Sequence, residues 1–349
     1  MGKFIKKHIM NILAIDTSCD ETAVAVTRNT KACSNVVWSQ ASLHAKFGGV
    51  MPSLAQRQHE ERIDFCLEKA LGKEHKNLKN IDAIAVTIGP GLGIALGVGI
   101  NHARELATKH KLPLIPINHI EAHLLSPLVD SETKIQFPAL GLVLSGGTTI
   151  LCLINGIGKY EILAETGDDA LGEALDKGAR LLGLGYPGGA LLEKFARDGD
   201  SKKYKLPIPL INDVNKNRFS YSGLKTAFVR LFNTIKNPTK QDISDLAATF
   251  QEVAFKHVEN VLNYQINHSP LTFKQLLFGG GVANNILLKK RLRKLLRKHG
   301  ILLCVPKDKE FNGDNAGMIG VCAYLKYKNS NLKDFYNYNS IDRNPKLRI

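Results

Sequence analysis

The segment "PINHIEAH", residues 116–123, places two histidines four residues apart, a spacing at which both can reach one metal ion. On a helix His119 and His123 lie on the same face about one turn apart. A zinc peptidase needs a glutamate directly after the first histidine as its general base, but Ile120 stands there. The acid is Glu121, which about 200° of helix rotation carries off the histidine face. The pair can hold a metal, but the pattern supplies no protease base. The alternative is two structural histidines, one at the surface and one in the core.

Two segments combine apolar strands with a tight turn of Asp, Ser, Thr and Gly residues: "NILAIDTSCDETAVAVT" at 11–27 and "LGLVLSGGTTILCLI" at 140–154. Each predicts a strand, a turn and a second strand. Such turns direct backbone N–H groups and hydroxyls toward one point, which favours anion binding. Because the two segments resemble each other, we expect two lobes whose hairpins face each other across a cleft and clamp phosphate groups.

Three more glycine-rich turns lie between apolar strands and helices: "AIAVTIGPGLGIALGVG" (83–99), "LLGLGYPGGALLEKF" (181–195) and "LLFGGGVANNILL" (276–288). None is a Walker loop, because no Gly-Lys-Ser/Thr follows, and "GLGIALG" misses the dinucleotide-binding spacing. Each alone is compatible with an ordinary strand-to-helix turn. Together with the two hairpins they indicate a nucleotide in an interlobe cleft.

The composition indicates a two-lobed α/β protein. A chain of 349 residues with 44% hydrophobic content can fill two cores, and its apolar Ile- and Val-rich runs alternate with helical segments. The six cysteines show no CxxC pair or framework spacing, which is typical of a reducing compartment, so we expect a cytoplasmic protein. The basic start lacks an apolar leader core, and no run reaches the roughly 18 apolar residues of a membrane span. We therefore expect no membrane partner.

The charge balance favours a polyanionic partner. Lys and Arg outnumber Asp and Glu by 47 to 32, which gives a net charge of +15, and nucleic acid is the leading candidate. The densest basic run is "LLKKRLRKLLRKHG", which begins at Leu287. Its leucines recur at helical spacing, so its cations either contact the partner or solvate the outer face of an amphipathic helix.

The motifs as a set closely resemble the tRNA N6-adenosine threonylcarbamoyltransferase family, once labelled glycoproteases. The resemblance runs from about Met10 to Ala323, and its motifs in chain order are "LAIDTSCDETAVAV", "GGVMPSLAQRQH", "GPGLGIALGVG", "INHIEAHLLSP", "LVLSGGTT", "DDALGEALDKGARLLGLGYPGG", "FSYSGLKTA", "GGGVANN" and "GDNAGMI". It implies an α/β fold of the actin, sugar-kinase and chaperone ATPase type, with two duplicated RNase H-like lobes around a nucleotide cleft. We expect residues 1–134 with 306–349 to form one lobe, and residues 135–305 to form the other.

The resemblance also implies the reaction and the residues that serve it. The family transfers the threonylcarbamoyl group of L-threonylcarbamoyladenylate to N6 of the adenosine 3′ of the anticodon in ANN-decoding tRNAs and releases AMP. Its metal ligands correspond to His119, His123 and Asp314, a donor set that suits iron(II) or zinc(II). Its substrate contacts correspond to Val143, Leu144, Ser145, Gly146, Gly147, Asp176, Gly189, Glu193 and Asn285. The implied partners are tRNA, a paralogous protein of the same fold, a small ATPase and a separate synthase that makes the adenylate.

Several points stay open at the level of sequence. Asp16 and Glu21 beside the first hairpin are candidate general bases, against the alternatives that Asp16 caps the turn and Glu21 faces solvent. Thr148 stands where the family usually has His or Asn, and Ser53 stands where it usually has Glu. The residues before Met10 lie outside the resemblance. The other function classes considered are a metal-dependent endopeptidase and an ATP phosphotransferase or ATPase of the same fold.

Overall fold

A computed structural model describes residues 9–72, 78–214, 216–328 and 335–349. The chain forms two compact units. The first comprises the chain up to Gln40, Val50–Lys134 and the chain from Pro306 onward, and the second comprises Ala41–Gly49 and Ile135–Val305. Residues 41–49 therefore pack with the second unit, whereas the sequence-based division kept all of 1–134 together. Most of the basic start, residues 1–8, lies outside the described residues.

The first unit is built on a five-stranded sheet with the order β3-β2-β1-β4-β5. An antiparallel meander of the first three strands is extended by two parallel strands. The strands are β1 (Asn11–Asp16), β2 (Glu21–Arg28), β3 (Lys31–Ser39), β4 (Ala83–Gly89) and β5 (Leu114–Asn118). The hairpin predicted over 11–27 is thus present as β1 and β2.

Helices cover this sheet with apolar faces. They are α2 (Pro52–Leu71), α3 (Gly93–His110), α4 (His119–Leu125) and α10 (Ala316–Tyr327). Helices α2 and α3 pack against each other, and α10 packs on β1 and β2. Leu13 and Ile15 of β1 share one core with Ile63 of α2 and Leu96 of α3. Burying such side chains stabilises the unit by about 1.5–3 kcal/mol each, so the ends of β1 and β5 are held firmly.

The second unit repeats the first topology. Its sheet has the order β11-β10-β6-β7-β8-β9, in which β6 to β8 form the antiparallel meander and β10 and β11 add in parallel. The strands are β6 (Ala139–Leu144), β7 (Thr149–Gly156), β8 (Lys159–Thr166), β9 (Arg218–Phe219), β10 (Gln275–Gly279) and β11 (Leu302–Cys304). The duplication expected from the two hairpin segments is visible in this shared strand order.

The helices of the second unit are α1 (Ala41–His44), α5 (Leu171–Leu181), α6 (Gly189–Ala196), α7 (Ser222–Asn233), α8 (Lys240–His268) and α9 (Ile286–Arg297). Thr239 and Asp242 cap the start of α8 reciprocally, and Phe250 and Phe255 of α8 lie in the core with Phe278 of β10. Across the described parts of both units, no helix combines the length and apolar character needed to cross a membrane.

Candidate metal and nucleotide sites

The helix that carries the two histidines is fixed by a cap at its first turn. Asn118, the last residue of β5, accepts hydrogen bonds at Oδ1 from the backbone N–H of Ile120 (2.8 Å) and of Glu121 (3.2 Å). Its Nδ2 donates to the carbonyl of Arg348 at 2.9 Å. An Asn cap of this kind satisfies otherwise unpaired helix N–H groups. The strand, the cap and residues near the end of the chain together set where α4 starts, and therefore where His119 lies.

Three side chains from two distant segments lie close together: two histidines of α4 and one aspartate that precedes α10. The imidazole centroids of His119 and His123 are 4.5 Å apart in an edge-on arrangement. Oδ1 of Asp314 lies 3.4 Å from Nε2 of His119 and 3.0 Å from Nε2 of His123. Asp314 comes just before α10, whose N-cap Asn315 accepts a hydrogen bond from the N–H of Met318. One ligand atom from each of the three residues lies within 4.8 Å of the others, a grouping able to hold a metal ion.

A second carboxylate lies behind His119. Oδ2 of Asp16 is 3.3 Å from Nδ1 of His119, and Oγ of Ser18 is 3.2 Å from the same nitrogen. The other oxygen of Asp16 accepts from the backbone N–H of Ser18 at 3.1 Å. Asp16 therefore both caps the turn and orients the imidazole. A carboxylate on one ring nitrogen fixes the proton there and leaves the other nitrogen free to bind a cation.

The charges of this cluster shift its pKa values. Burial lowers the pKa of the His119 imidazole, but the carboxylates of Asp314 and Asp16 outweigh burial and hold that pKa well above its usual value. Burial and the neighbouring His119 lower the pKa of His123. Burial raises the pKa of Asp314, but the charge and hydrogen bonds of the two histidines hold it far below its usual range. The same two carboxylates that favour a proton on His119 would also favour a cation in this cluster.

The remaining acids near the cluster have separate environments. Glu21 accepts a hydrogen bond from Oγ of Ser39 at 3.1 Å and is half-buried, so it does not simply face solvent. Burial, then the nearby Asp314, raises the pKa of the Glu21 carboxyl. Glu121 is buried at 5% exposure, and its charge acts on Cys322 of α10, whose thiol pKa is raised first by burial and then by Glu121. The Glu121 side chain therefore lies close enough to α10 to act on Cys322.

The sequence reasoning missed one residue that shapes the first hairpin. His59 of α2 is fully buried, with Nε2 3.0 Å from the carbonyl oxygen of Cys19 and Nδ1 2.8 Å from Oγ1 of Thr22. These partners require a proton on Nε2, since a carbonyl only accepts. The signal was available, because His59 continues the apolar stripe of Ala55 and Ile63 at i±4. A histidine on such a stripe indicates a buried residue with fixed partners.

The turn of the second hairpin is organised by its own backbone. The N–H of Ser145 donates to the carbonyl of Thr148 at 2.8 Å, and Oγ of Ser145 accepts from the N–H of Thr148 at 3.1 Å. Val143 and Leu144 are buried in β6. Gly146 and Gly147 are exposed, and no heavy atom lies within 4 Å of where a Cβ would stand on either. The turn thus presents open backbone at the place predicted to receive phosphate.

The other predicted substrate contacts tie helices together. Oδ1 of Asp176 accepts from the N–H groups of Gly188 and Gly189, both at 2.8 Å, at the start of α6. Oε1 of Glu193 accepts from the N–H of Ile286 at 2.9 Å, which joins α6 to α9. Each of these carboxylates has a structural task in addition to the ligand contact predicted for it.

Asn285 is the N-cap of α9, and both polar atoms of its amide are hydrogen-bonded. Its Oδ1 accepts from the N–H of Leu288 at 2.9 Å, and its Nδ2 donates to Oε1 of Gln251 at 3.0 Å. The preceding turn approaches β6 closely, because Gly280 has φ of 90° and a Cβ there would lie 2.3 Å from the carbonyl oxygen of Leu144. The glycine-rich turn before Asn285 is therefore fixed against the strand that leads to Ser145.

A comparison with known families decides the assignment. Residues 31–321 match the profile of the family described as tRNA N6-adenosine threonylcarbamoyltransferase. The chain belongs to this family. Relatives of that name include a protein of Geobacter sp. (strain M21), 42% identical over 89% of this chain and 90% of its own. Another, from Trichlorobacter lovleyi, is 45% identical over 90% of this chain and 92% of its own. The family predicted from the motifs is confirmed.

Solved structures confirm the fold of this threonylcarbamoyltransferase family member. HypF of T. kodakarensis superposes with a TM-score of 0.62 at 16% sequence identity. The match covers 92% of this chain and 48% of the HypF chain. Component A of (R)-2-hydroxyglutaryl-CoA dehydratase from Acidaminococcus fermentans superposes with a TM-score of 0.52 at 12% identity, over 91% of this chain and 99% of that protein. The predicted α/β class with duplicated lobes of the actin, sugar-kinase and chaperone ATPase type is correct. The peptidase alternative is not favoured.

Proposed function

We propose that this chain transfers the threonylcarbamoyl group of L-threonylcarbamoyladenylate to N6 of the adenosine 3′ of the anticodon in ANN-decoding tRNAs. The products are N6-threonylcarbamoyladenosine and AMP. The observation that carries the proposal is the cluster of His119, His123 and Asp314, backed by Asp16, in a chain of this family. The N6 atom bonds to the carbamoyl carbon, the bond from that carbon to the phosphate oxygen breaks, and N6 gives up a proton.

The donor set fits one divalent cation. Two imidazole nitrogens and one carboxylate oxygen leave coordination positions open for a substrate oxygen, and iron(II) and zinc(II) both accept such ligands. His123 is buried, and its Nδ1 has no hydrogen-bond partner among the described residues. Its Nε2 is the ring nitrogen that meets the Asp314 carboxylate, so this nitrogen is the one proposed to bind the cation. When bound, the cation supplies a Lewis acid that orients and polarises an oxygen of the threonylcarbamoyl group.

The second unit supplies groups suited to the adenylate. Oγ of Ser145 and the open amides of Gly146 and Gly147 are proposed to receive the phosphate, whose developing charge such donors stabilise when it leaves. Glu193 and Asp176 are proposed to contact ribose hydroxyls, and their backbone bonds hold both carboxylates in fixed directions. Asn285 is proposed to border the adenine beside the glycine turn, while Val143, Leu144 and Gly189 shape the pocket wall.

Asp16 and Glu21 are proposed for separate tasks near the metal cluster. Asp16 touches His119 and positions it. Glu21 is the better candidate to accept the N6 proton, because a carboxylate with a raised pKa is a stronger base than an ordinary one. The partners proposed from the family are tRNA, a paralogous protein of the same fold, a small ATPase and a synthase that makes the adenylate. The six free cysteines suit the proposed cytoplasmic setting.

Nucleoside analysis of tRNA tests the proposal. Cells depleted of this protein are expected to lose N6-threonylcarbamoyladenosine, and the wild-type chain should restore it whereas His123→Ala should not. A matched control is Lys109→Gln, which changes an exposed side chain of α3. Unchanged modification after depletion would refute the transferase assignment. Cleavage of a protein substrate in a metal-dependent manner by the purified chain would instead restore the peptidase reading.

A further inference from the structure

The outer face of α9 carries a continuous row of cations. Leu288, Leu292 and Leu296 are fully buried, which fixes the rotation of the helix. The opposite face then presents basic side chains at helical spacings of three and four residues, all of them exposed: Lys290, Arg293, Lys294, Arg297 and Lys298 at the C-cap. Successive turns of a helix rise by about 5.4 Å, so the row forms a linear array of positive charge.

No carboxylate among the described residues neutralises these five cations. Arg291, on the inner side of the same helix, bonds to Oε1 and Oε2 of Glu259 at 2.8 and 2.6 Å and also pairs with Glu252. In contrast, none of the five exposed cations has a carboxylate oxygen within 4 Å among the residues that the structure describes. The helix therefore uses Arg291 for packing and leaves these five exposed cations available to a partner.

Helix stability alone does not account for the row. Cations near a helix C-terminus are favoured by the helix dipole, which covers Arg297 and Lys298. Lys290 lies little more than one turn from the N-terminus of α9, where the helix dipole does not stabilise a cation. The first turn of α9 also has no acidic residue that could pair with it. The charge is distributed as a polyanion-binding surface requires.

A groove runs beside this row between α8 and α9. It has a volume of about 580 Å³, and Lys256, Lys294 and Lys298 lie along it together with Asn260 and Asn263. Glu252 and Glu259 also line it, but both carboxylates pair with Arg291, and Glu259 pairs with Lys256 as well. Amide side chains beside lysines supply hydrogen bonds to phosphate and ribose oxygens. Helix α9 carries no aromatic residue on which a base could stack, so the surface suits the backbone of a nucleic acid and not its bases.

We propose that the exposed face of α9 and the α8–α9 groove bind the sugar-phosphate backbone of the tRNA substrate. This inference rests on the proposed function, which makes a tRNA the acceptor. Phosphate contacts of this kind position a nucleic acid without reading its sequence. The surface should therefore contribute similarly to the binding of tRNAs with different anticodons.

The test compares two triple variants with the same loss of charge. Lys290→Gln, Arg293→Gln and Arg297→Gln are combined in one protein, and Lys31→Gln, Lys109→Gln and Lys159→Gln in the other. The control lysines are exposed and lie on β3, α3 and β8. The affinity for purified tRNA is measured from about 50 to 200 mM salt. Each lost phosphate contact should flatten the plot of log affinity against log salt by about 0.7–0.9.

The α9 variant should lose more than tenfold in affinity at low salt and reduce the slope by roughly two to three, while the control retains the wild-type slope. An unchanged slope in the α9 variant, or an equal reduction in both variants, would overturn the inference. If the triple variant has a lowered melting temperature, a second variant that combines Lys294→Gln with Lys298→Gln repeats the test. If the wild-type protein binds tRNA through α9 but makes no threonylcarbamoyladenosine, the proposed function fails while this inference stands.

Discussion

The carboxylate of Asp16 lies 3.3 Å from Nδ1 of His119, while the other ring nitrogen of His119 lies 3.4 Å from Asp314. One imidazole is thus held between an acid at the end of β1 and an acid before α10. The first acid orients the ring, and the second shares the proposed cation with it. This arrangement separates a positioning carboxylate from a ligand carboxylate, and the two should respond differently to mutation.

Asp16→Asn should weaken metal binding without abolishing it. The amide no longer favours the proton on Nδ1 of His119, and losing such a partner costs about 10–100-fold in metal affinity. Competition with a chelator measures the metal dissociation constant. Asp64→Asn is the matched control, because Asp64 is an exposed acid of the same unit with 83% of its side chain accessible. Equal affinities for wild type and Asp16→Asn would show that Asp16 acts only as a turn cap.

Removing a ligand should have a sharper effect. His123→Ala is expected to lower metal occupancy and threonylcarbamoyl transfer together, while an adenine nucleotide still binds, because the proposed adenine turn belongs to the other unit. Elemental analysis, nucleotide titration and the transfer assay report the three properties. Because His123 is buried, a thermal melt is needed to check that the variant folds. Asp314→Asn is a second variant that removes a proposed ligand without opening a cavity. A folded, metal-free and fully active variant would refute the mechanism.

Asn285→Ala should show the reverse pattern. Nucleotide binding is expected to fall while metal content is kept, and the loss of the α9 cap should reduce the free energy of unfolding by about 1–2 kcal/mol. Asn285→Asp is the informative partner variant, because its carboxylate can still cap α9 but cannot donate to Gln251. If both variants bind nucleotide as tightly as wild type, Asn285 has a structural role only.

Glu121→Gln should leave transfer within a few-fold of wild type with the metal retained. The residue is buried and its charge acts on Cys322 of α10, and on the helix it is rotated by about 200° from His119. Steady-state transfer rates and metal content decide the outcome. A loss of roughly a thousandfold with metal still bound would mark Glu121 as a general base and revive the peptidase interpretation.

His257 should make the second unit sensitive to acid. Its Nε2 accepts from the N–H of Ser220 at 3.2 Å, and burial, then the nearby Lys216, lowers its pKa from 6.5 to about 4. Between these values the unfolded chain binds a proton that the folded chain does not, so stability falls as pH drops through this window. From pH 7 to pH 5 the contribution is about 2 kcal/mol.

Urea denaturation at the two pH values measures this loss, and His257→Gln should remove it. The variant is expected to be less stable than wild type at pH 7, because the Gln side chain does not reproduce the hydrogen bond between the imidazole and Ser220. At pH 5 its stability should approach that of wild type. Parallel pH profiles for the two proteins would show that His257 does not titrate differently on folding.

The sequence predicted those features that depend on local pattern. The spacing of His119 and His123 predicted a shared helix face, and the two similar hairpin segments predicted duplicated lobes. Long-range pairings were not predictable in this way. Glu193 bonds to Ile286, 93 residues away, and the attachment of residues 41–49 to the second unit depends on contacts such as that of Arg180 with the carbonyl of Gly48. No local spacing encodes such a partner.

The residues of the metal cluster are also far apart along the chain. His123 precedes Asp314 by 191 residues, and the Asn118 cap precedes its partner Arg348 by 230. At about 5–20 residues per second, a ribosome needs roughly 10–40 s to progress from the histidine helix to the aspartate. During that interval the nascent chain holds two imidazoles without their carboxylate or a completed cap. Loading of the proposed metal would therefore have to follow the synthesis of Asp314, and would not accompany the folding of the histidine helix itself.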